Sequence, residues 1–160
     1  MADDLRIRPA VPGDARAIAA IWRELGWVKA MQDKSLPEME AQIARQLAGC
    51  LDQDGHTTLV AEKGPGRLLG YAMVHWSPCL FLPGPEGFVS ELFVTDHARG
   101  KGVGGLLLKE VERLARQKGC SRLSLLNARH RDSYKRGFYA KQGWRERAEI
   151  ANFVLYLEEA

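Results

Sequence analysis

The chain is poor in cysteine, with three in 160 residues, Cys50, Cys79 and Cys120, far apart and odd in number. A small secreted domain stapled by disulfides needs a denser and even set, so that class is excluded and a reducing, cytoplasmic setting is expected. Long apolar runs are missing too: none approaches the ~20 residues that span a bilayer. The first eleven residues carry two acids and no apolar core, unlike a secretory signal. Neither charge sign dominates, because 23 Lys and Arg stand against 20 Asp and Glu. Residues 1–80 hold nine basic and ten acidic side chains, and residues 81–160 hold fourteen and ten. That imbalance suits an anionic small ligand but is too weak to imply nucleic acid, and no membrane partner is expected. Repeats, low-complexity tracts and linker-like stretches are lacking, which excludes solenoids and predicts one domain over 1–160. What is present, 46% hydrophobic and 27% charged residues, is the balance of a folded soluble protein.

Patterning along the chain predicts mixed α and β structure. Residues 5–8 alternate and stop at Pro9, a short strand. Asp14 caps a helix whose Ala15, Ile18, Ala19 and Trp22 recur at helical spacing until Gly26. Ser35, Pro37 and Glu38 open a second helix to about residue 51, with Ile43, Leu47 and Cys50 on its buried stripe. Residues 57–62 and 68–76 flank Gly64-Pro65-Gly66 and form a hairpin. Three prolines and two glycines make 77–87 an irregular loop. A strand over 88–94 precedes a polar turn, 95–105. An amphipathic helix follows, with Val103, Leu106, Leu107, Val111, Leu114 and Ala115 on one face, ending at Gly119. A strand over 122–126, a short helix over 133–142 and a last alternating strand over 150–158 complete the chain. Trp22, Trp27, Trp76 and Phe81 are expected in the core.

The informative stretch is the turn that reads Arg99-Gly100-Lys101-Gly102-Val103-Gly104-Gly105. A strand runs into glycines and the glycines into a helix, so backbone N–H groups are exposed where the helix dipole is positive, beside two cations. That is a phosphate site. Gly100, Gly102 and Gly105 formally satisfy the dinucleotide fingerprint G-x-G-x-x-G. However, the next strand ends Leu125-Leu126-Asn127, with no acid for ribose hydroxyls before Asp132. No Walker A sequence is present.

Arg99-x-x-Gly102-x-Gly104 matches the Arg/Gln-x-x-Gly-x-Gly/Ala pyrophosphate signature of the GNAT N-acetyltransferase superfamily. Phe138-Tyr139-Ala-Lys-Gln-Gly143-Trp144 resembles that family's aromatic-Tyr-x-x-x-Gly-Phe segment, and the resemblance extends over residues 88–145. It implies an α+β fold: a mixed, mostly antiparallel sheet with a splayed parallel strand pair and helices on both faces. It also implies that acetyl-CoA is cosubstrate, held by the backbones of Leu92, Phe93 and Val94 and by the amides of Arg99, Gly100, Lys101, Gly102, Val103 and Gly104. By position, Tyr139 is the general acid that protonates the departing thiolate; the alternative is a tyrosine that only packs, and Tyr134 is the substitute. Glu91 lies where several relatives carry a base, the alternative being a glutamate facing surface cations. His75 is a weaker candidate and His97 a turn residue. Asn127 corresponds to a pantetheine-binding residue, although family spacing falls on Asp132. Ser133, Lys135 and Arg136 are placed to reach CoA phosphates.

The expected reaction is direct transfer of acetyl to a primary amine, of a small molecule in the first instance. A peptide N-terminus or lysine, and a non-catalytic acyl-CoA-binding regulator, are the alternatives. No cysteine has the neighbours that lower a thiol pKa, so an acyl-cysteine is not expected, and no residues have metal-ligand spacing. The acceptor and the oligomeric state, a homodimer included, stay open.

Overall fold

A computed structural model describes residues 5–26, 28–51 and 53–157, so Trp27 lies outside the described residues. The chain divides into two compact units, Met1–Leu125 and Leu126–Ala160. Each is described by itself.

The first unit is built on a five-stranded sheet in the order β1 (Leu5–Pro9), β2 (His56–Lys63), β3 (Leu68–Ser77), β4 (Glu86–Val94) and β5 (Arg122–Leu125). The first four strands run antiparallel and β5 pairs parallel with β4. Between β1 and β2 lie α1 (Ala15–Leu25), α2 (Lys29–Gln32) and α3 (Leu36–Leu51), and α4 (Val103–Gln117) connects β4 to β5. The expected mixed sheet with a parallel pair is therefore present. The single turn of α2 has no signal in the sequence pattern.

Register assigns the two faces. Thr58 pairs with Met73 and Val60 with Tyr71, so these four share one face. Val60 and Tyr71 are buried in one cluster with Ile18 and Ala19 of α1 and Ile43 and Leu47 of α3. Leu59, Ala72 and Val74 point the opposite way, toward the side covered by α4. The buried stripe of α4 is Val103, Leu107, Leu108, Val111 and Ala115. Leu106, assigned to that stripe from spacing, is exposed and Leu108 takes its place. Either leucine fits a broad apolar face, and only the helix's rotation on the sheet selects between them.

Local chemistry accounts for the helix starts and stops. Glu38 accepts hydrogen bonds from both the N–H and the hydroxyl of Ser35, each at 2.7 Å, while the Ser35 hydroxyl accepts from the Glu38 N–H at 3.4 Å. This reciprocal cap begins α3. Gly26, in the left-handed region at φ 64°, ends α1. Asp14 stands at the N-cap position of α1, but its carboxylate is committed elsewhere. It accepts from the Val11 N–H at 2.8 Å and pairs with Arg8 at 2.8 and 2.9 Å. Arg8 also reaches Glu62, which binds Arg6, so one ion cluster ties β1, β2 and the start of α1 together.

Two features of β4 shape the centre of the sheet. Glu91 pairs with Met73 but Val89 pairs with Val74, leaving Ser90 as an extra residue, a bulge that bends the strand. The β4–β5 register ends at Val89↔Leu125, next to the bulge, and β4 runs on to Val94 beyond it. Earlier in β4, Glu86 and Gly87 are strand residues rather than loop, paired with Ser77 and Trp76. Glu86 forms an ion pair with Arg122 at 2.8 Å. A Cβ on Gly87 would stand 2.6 Å from both the Trp76 ring and Leu123, so only glycine lets that indole cross the strand. In the shortened loop, Phe81 is 79% exposed, contrary to its expected place in the core.

The second unit carries α5 (Asp132–Lys135) and α6 (Phe138–Lys141). The single helix expected over 133–142 is interrupted by Gly137 at φ 62°, a left-handed residue that cannot continue a helix. The strand expected over 150–158 is also absent: residues 150–157 form no ladder, and Phe153 and Leu155 are 91% and 83% exposed. Alternation supplies a strand's faces, but only a partner's ladder makes it a strand. Glu158 lies outside the described residues. No described helix is long and apolar enough to cross a membrane.

Candidate active site

The turn between β4 and α4 has the conformation its glycines predict. Gly100 and Gly102 take φ 72° and 83°, and Gly102 is the N-cap of α4. Leu106 N–H bonds Gly102 O at 3.0 Å, which leaves the N–H groups of Val103, Gly104 and Gly105 in the first turn without an intrahelical acceptor. A Cβ built on Gly100 or Gly102 meets nothing within 4 Å, so open space adjoins the backbone there. Arg99 pairs with Asp96 at 2.8 Å and Lys101 is exposed. His97 lies in the helical turn Asp96–Ala98, as expected. Open space, unspent N–H groups and two cations fit a pyrophosphate.

On the preceding strand, Phe93 pairs with Tyr71, Leu92 with Ala72 and Val94 with Gly70. The Phe93 ring lies 5.5 Å from the Tyr71 ring and 6.2 Å from that of Trp22. Glu91, two residues earlier, shares this face. The Tyr71 hydroxyl donates to the Glu91 carboxylate and accepts from the Trp22 indole N–H at 2.5 Å. Burial raises the Glu91 pKa above the ordinary carboxylate value, and the Tyr71 hydrogen bond partly opposes it. Burial, and then the charge of Glu91, hold the Tyr71 phenol well above its usual range, so it remains a donor.

This chain of hydrogen bonds ends at a pocket enclosing about 470 Å³ of empty space, open solvent at its mouth included. Trp22 from α1, Met31 from α2, Ile43 and Leu47 from α3 and Met73 from β3 give it apolar walls. Glu91 lines it together with Thr58, whose buried hydroxyl has no hydrogen-bond partner. The sequence left open which side of β4 Glu91 occupies. The register and the bulge place it toward α1 and α3, with no cation among its described hydrogen-bond partners. His75 is spent on Ser90 Oγ at 2.8 Å and stacks edge-on against His56.

In the second unit, Ser133 donates to Asn127 Oδ1 at 3.1 Å. The Asn127 amide nitrogen is buried without a partner, an unmet donor that fits a ligand carbonyl such as a pantetheine amide. Arg136 is exposed and bonds Asp132 O at 3.3 Å. The half-buried Tyr139 ring stands 4.9 Å from Phe138 and 6.2 Å from Trp144. Burial pushes its pKa up to about 12, which keeps the phenol protonated at neutral pH. Tyr134 donates to Glu146 at 2.8 Å and so is already committed.

Burial raises the Cys50 and Cys120 thiols, the wrong direction for a nucleophile. Among the described residues, no group of three or more His, Cys, Asp or Glu is placed to hold a metal. Sequence reasoning missed Tyr71 and Thr58. Each sits in an ordinary strand pattern, and its importance depends on what faces it across the sheet.

Comparison with known proteins bears on the family and the fold. The acetyltransferase (GNAT) family matches residues 19–144. Thialysine N-epsilon-acetyltransferase of Bos taurus is 31% identical over 140 residues, 81% of this chain and 80% of that protein. A transcriptional regulator from Bacillus halodurans C-125 superposes with a TM-score of 0.80 at 20% identity, covering 96% of this chain and 99% of the other. Glucosamine-6-phosphate N-acetyltransferase from Arabidopsis thaliana superposes with a TM-score of 0.75 at 17% identity, covering 96% and 99%. At those identities the likeness is one of fold. The chain belongs to the GNAT family of acetyltransferases.

Proposed function

We infer that the chain transfers an acetyl group from acetyl-CoA to a primary amine of a small molecule, with both substrates bound before chemistry. The observation that carries this reading is Glu91, a half-buried carboxylate of raised pKa lining an apolar pocket, on β4 just beyond its last pairing with parallel β5. In this reading the turn from Arg99 to Gly104 takes the pyrophosphate, and the backbones of Leu92, Phe93 and Val94 take the pantetheine arm. Asn127, Ser133 and Arg136 supply further polar contacts to the cosubstrate. The pocket receives the acceptor.

The reaction balances without a covalent enzyme intermediate. The neutral amine nitrogen forms a bond to the thioester carbonyl carbon, and the carbon–sulfur bond breaks with its electron pair on sulfur. The surplus proton on nitrogen passes to the Glu91 carboxylate, directly or through one water. The thiolate takes a proton from the Tyr139 phenol. A carboxylate whose pKa is raised by burial is, once ionised, a better proton acceptor than an exposed one.

A thiol-release assay with acetyl-CoA against a panel of amines, amino acids and peptides tests the reading. Initial-rate plots at several fixed acceptor concentrations should intersect. Parallel lines, or an acetylated cysteine trapped by mass spectrometry, would overturn the direct mechanism.

A further inference from the structure

The pocket that ends at Glu91 has a chemistry that restricts its occupant. Glu91 is the single charged side chain among the described residues that line it. Lys34 is not a lining residue, and its ammonium is bonded to Gln42 Oε1 on the pocket's wall. Gln46, one turn along α3, sits exposed at the rim. Between rim and carboxylate, the walls are formed by methionine, isoleucine, leucine and tryptophan side chains. Gln42, Cys50, Tyr71 and Thr58 also line the pocket, and of these the Thr58 hydroxyl is buried without a partner. An unmet buried hydroxyl is unfavourable, and a ligand atom that meets it recovers that cost.

Building on the acetyl-transfer reading, we propose that the acceptor is a compact primary amine on an uncharged, largely apolar body, carrying one neutral polar atom for Thr58 and no anionic group. Three effects act together. The Glu91 carboxylate attracts the amine end, which enters as an ammonium ion and loses one proton to solvent before the neutral nitrogen attacks. The apolar walls gain from an alkyl or aryl body whose surface leaves water on binding. A carboxylate or phosphate on the acceptor would lose its water without finding a cation, and Glu91 would repel it.

The test uses 6-aminohexanol, 6-aminohexanoate, methyl 6-aminohexanoate and 6-aminohexyl phosphate with the whole chain and acetyl-CoA. The alcohol and the ester should be acetylated with kcat/KM about 100-fold above the carboxylate and the phosphate, the cost of one unpaired buried charge. Gln46→Arg, at an exposed position, should narrow the gap between ester and carboxylate about tenfold by supplying the missing cation. Thr58→Val keeps the shape and removes the hydroxyl, so it should abolish the preference for 6-aminohexanol over hexylamine. Equal or better use of the carboxylate or phosphate by the parent chain would overturn the proposal. If none of the four amines is acetylated although acetyl-CoA binds, the acetyl-transfer reading fails for this class. The pocket is then judged by calorimetry, where binding of the alcohol but not of the carboxylate supports the proposal and equal binding overturns it.

Discussion

Tyr71→Phe removes one oxygen atom from the centre of the site and tests how Glu91 is prepared. Tyr71 is 2% exposed, and its hydroxyl both donates to Glu91 and accepts from the Trp22 indole. A hydrogen bond to a charged group contributes about 1.5–3 kcal/mol. Here it favours the ionised form of a carboxylate that burial otherwise drives toward protonation. Losing it should shift the Glu91 ionisation equilibrium about ten- to hundredfold toward the neutral acid, at 1.4 kcal/mol per factor of ten. The acid limb of kcat/KM, which reports the group that must be unprotonated in the free enzyme, should move to higher pH. The alkaline plateau should stay near the parent's, because a proton acceptor less well stabilised as an anion is a stronger base once ionised. Orphaning the indole N–H should also cost about 1–3 kcal/mol of stability, read from a urea midpoint. The discriminating assay is the pH profile. A variant that is destabilised but keeps the parent's acid limb would show that Tyr71 only packs, and the assignment of Glu91 as proton acceptor would lose its main structural support.

Three further outcomes follow from other parts of the structure. Arg8 and Arg6 hold Glu62 at about 2, below its ordinary 4.5. Its contribution to stability is fully present above pH 4.5 and fades as the pH falls toward 2, so the acid side of the stability profile should be shallower in Glu62→Gln than in the parent. Gly102→Val places a branched side chain at φ 83°, where a left-handed L-residue costs about 1–2 kcal/mol, and in the space assigned to the pyrophosphate. The KM for acetyl-CoA should rise, whereas CoA binding by calorimetry as tight as the parent's would refute the turn's assignment. Tyr139→Phe should lower the single-turnover rate by about 10²–10⁴ with little change in CoA affinity; an unaltered rate would remove Tyr139 from the reaction. Because the Tyr139 pKa lies at about 12, no loss of activity between pH 7 and 10 should trace to its ionisation.

Much of the architecture was legible because it rests on local chemistry. The turn from Arg99 to Gly105 needs glycine at positive φ, and four glycines beside two cations announce it. The reciprocal cap of Ser35 and Glu38 can be read from two letters three apart. What escaped the sequence depends on partners distant in the chain. The bulge at Ser90 exists only as a mismatch of register with β3, yet it sets which face of β4 carries Glu91. Tyr71 and Trp22 meet across 49 residues. The alternation of residues 150–157 reads as a strand, but no partner forms its ladder. Phe81 reads as core and stands in solvent, because the prolines that hold its loop give no direction to the side chain.

The account turns on a proton passing from the acceptor amine to Glu91, and Glu91→Gln examines that step with an isosteric side chain that cannot accept the proton as a carboxylate does. With acetyl-CoA and 6-aminohexanol at neutral pH, the formation of N-acetylated product, followed by mass spectrometry, should fall by about 10²–10⁴ in single-turnover rate while the calorimetric affinity for CoA stays unchanged. A Glu91→Gln chain that forms the same product within a few-fold of the parent's rate would contradict it.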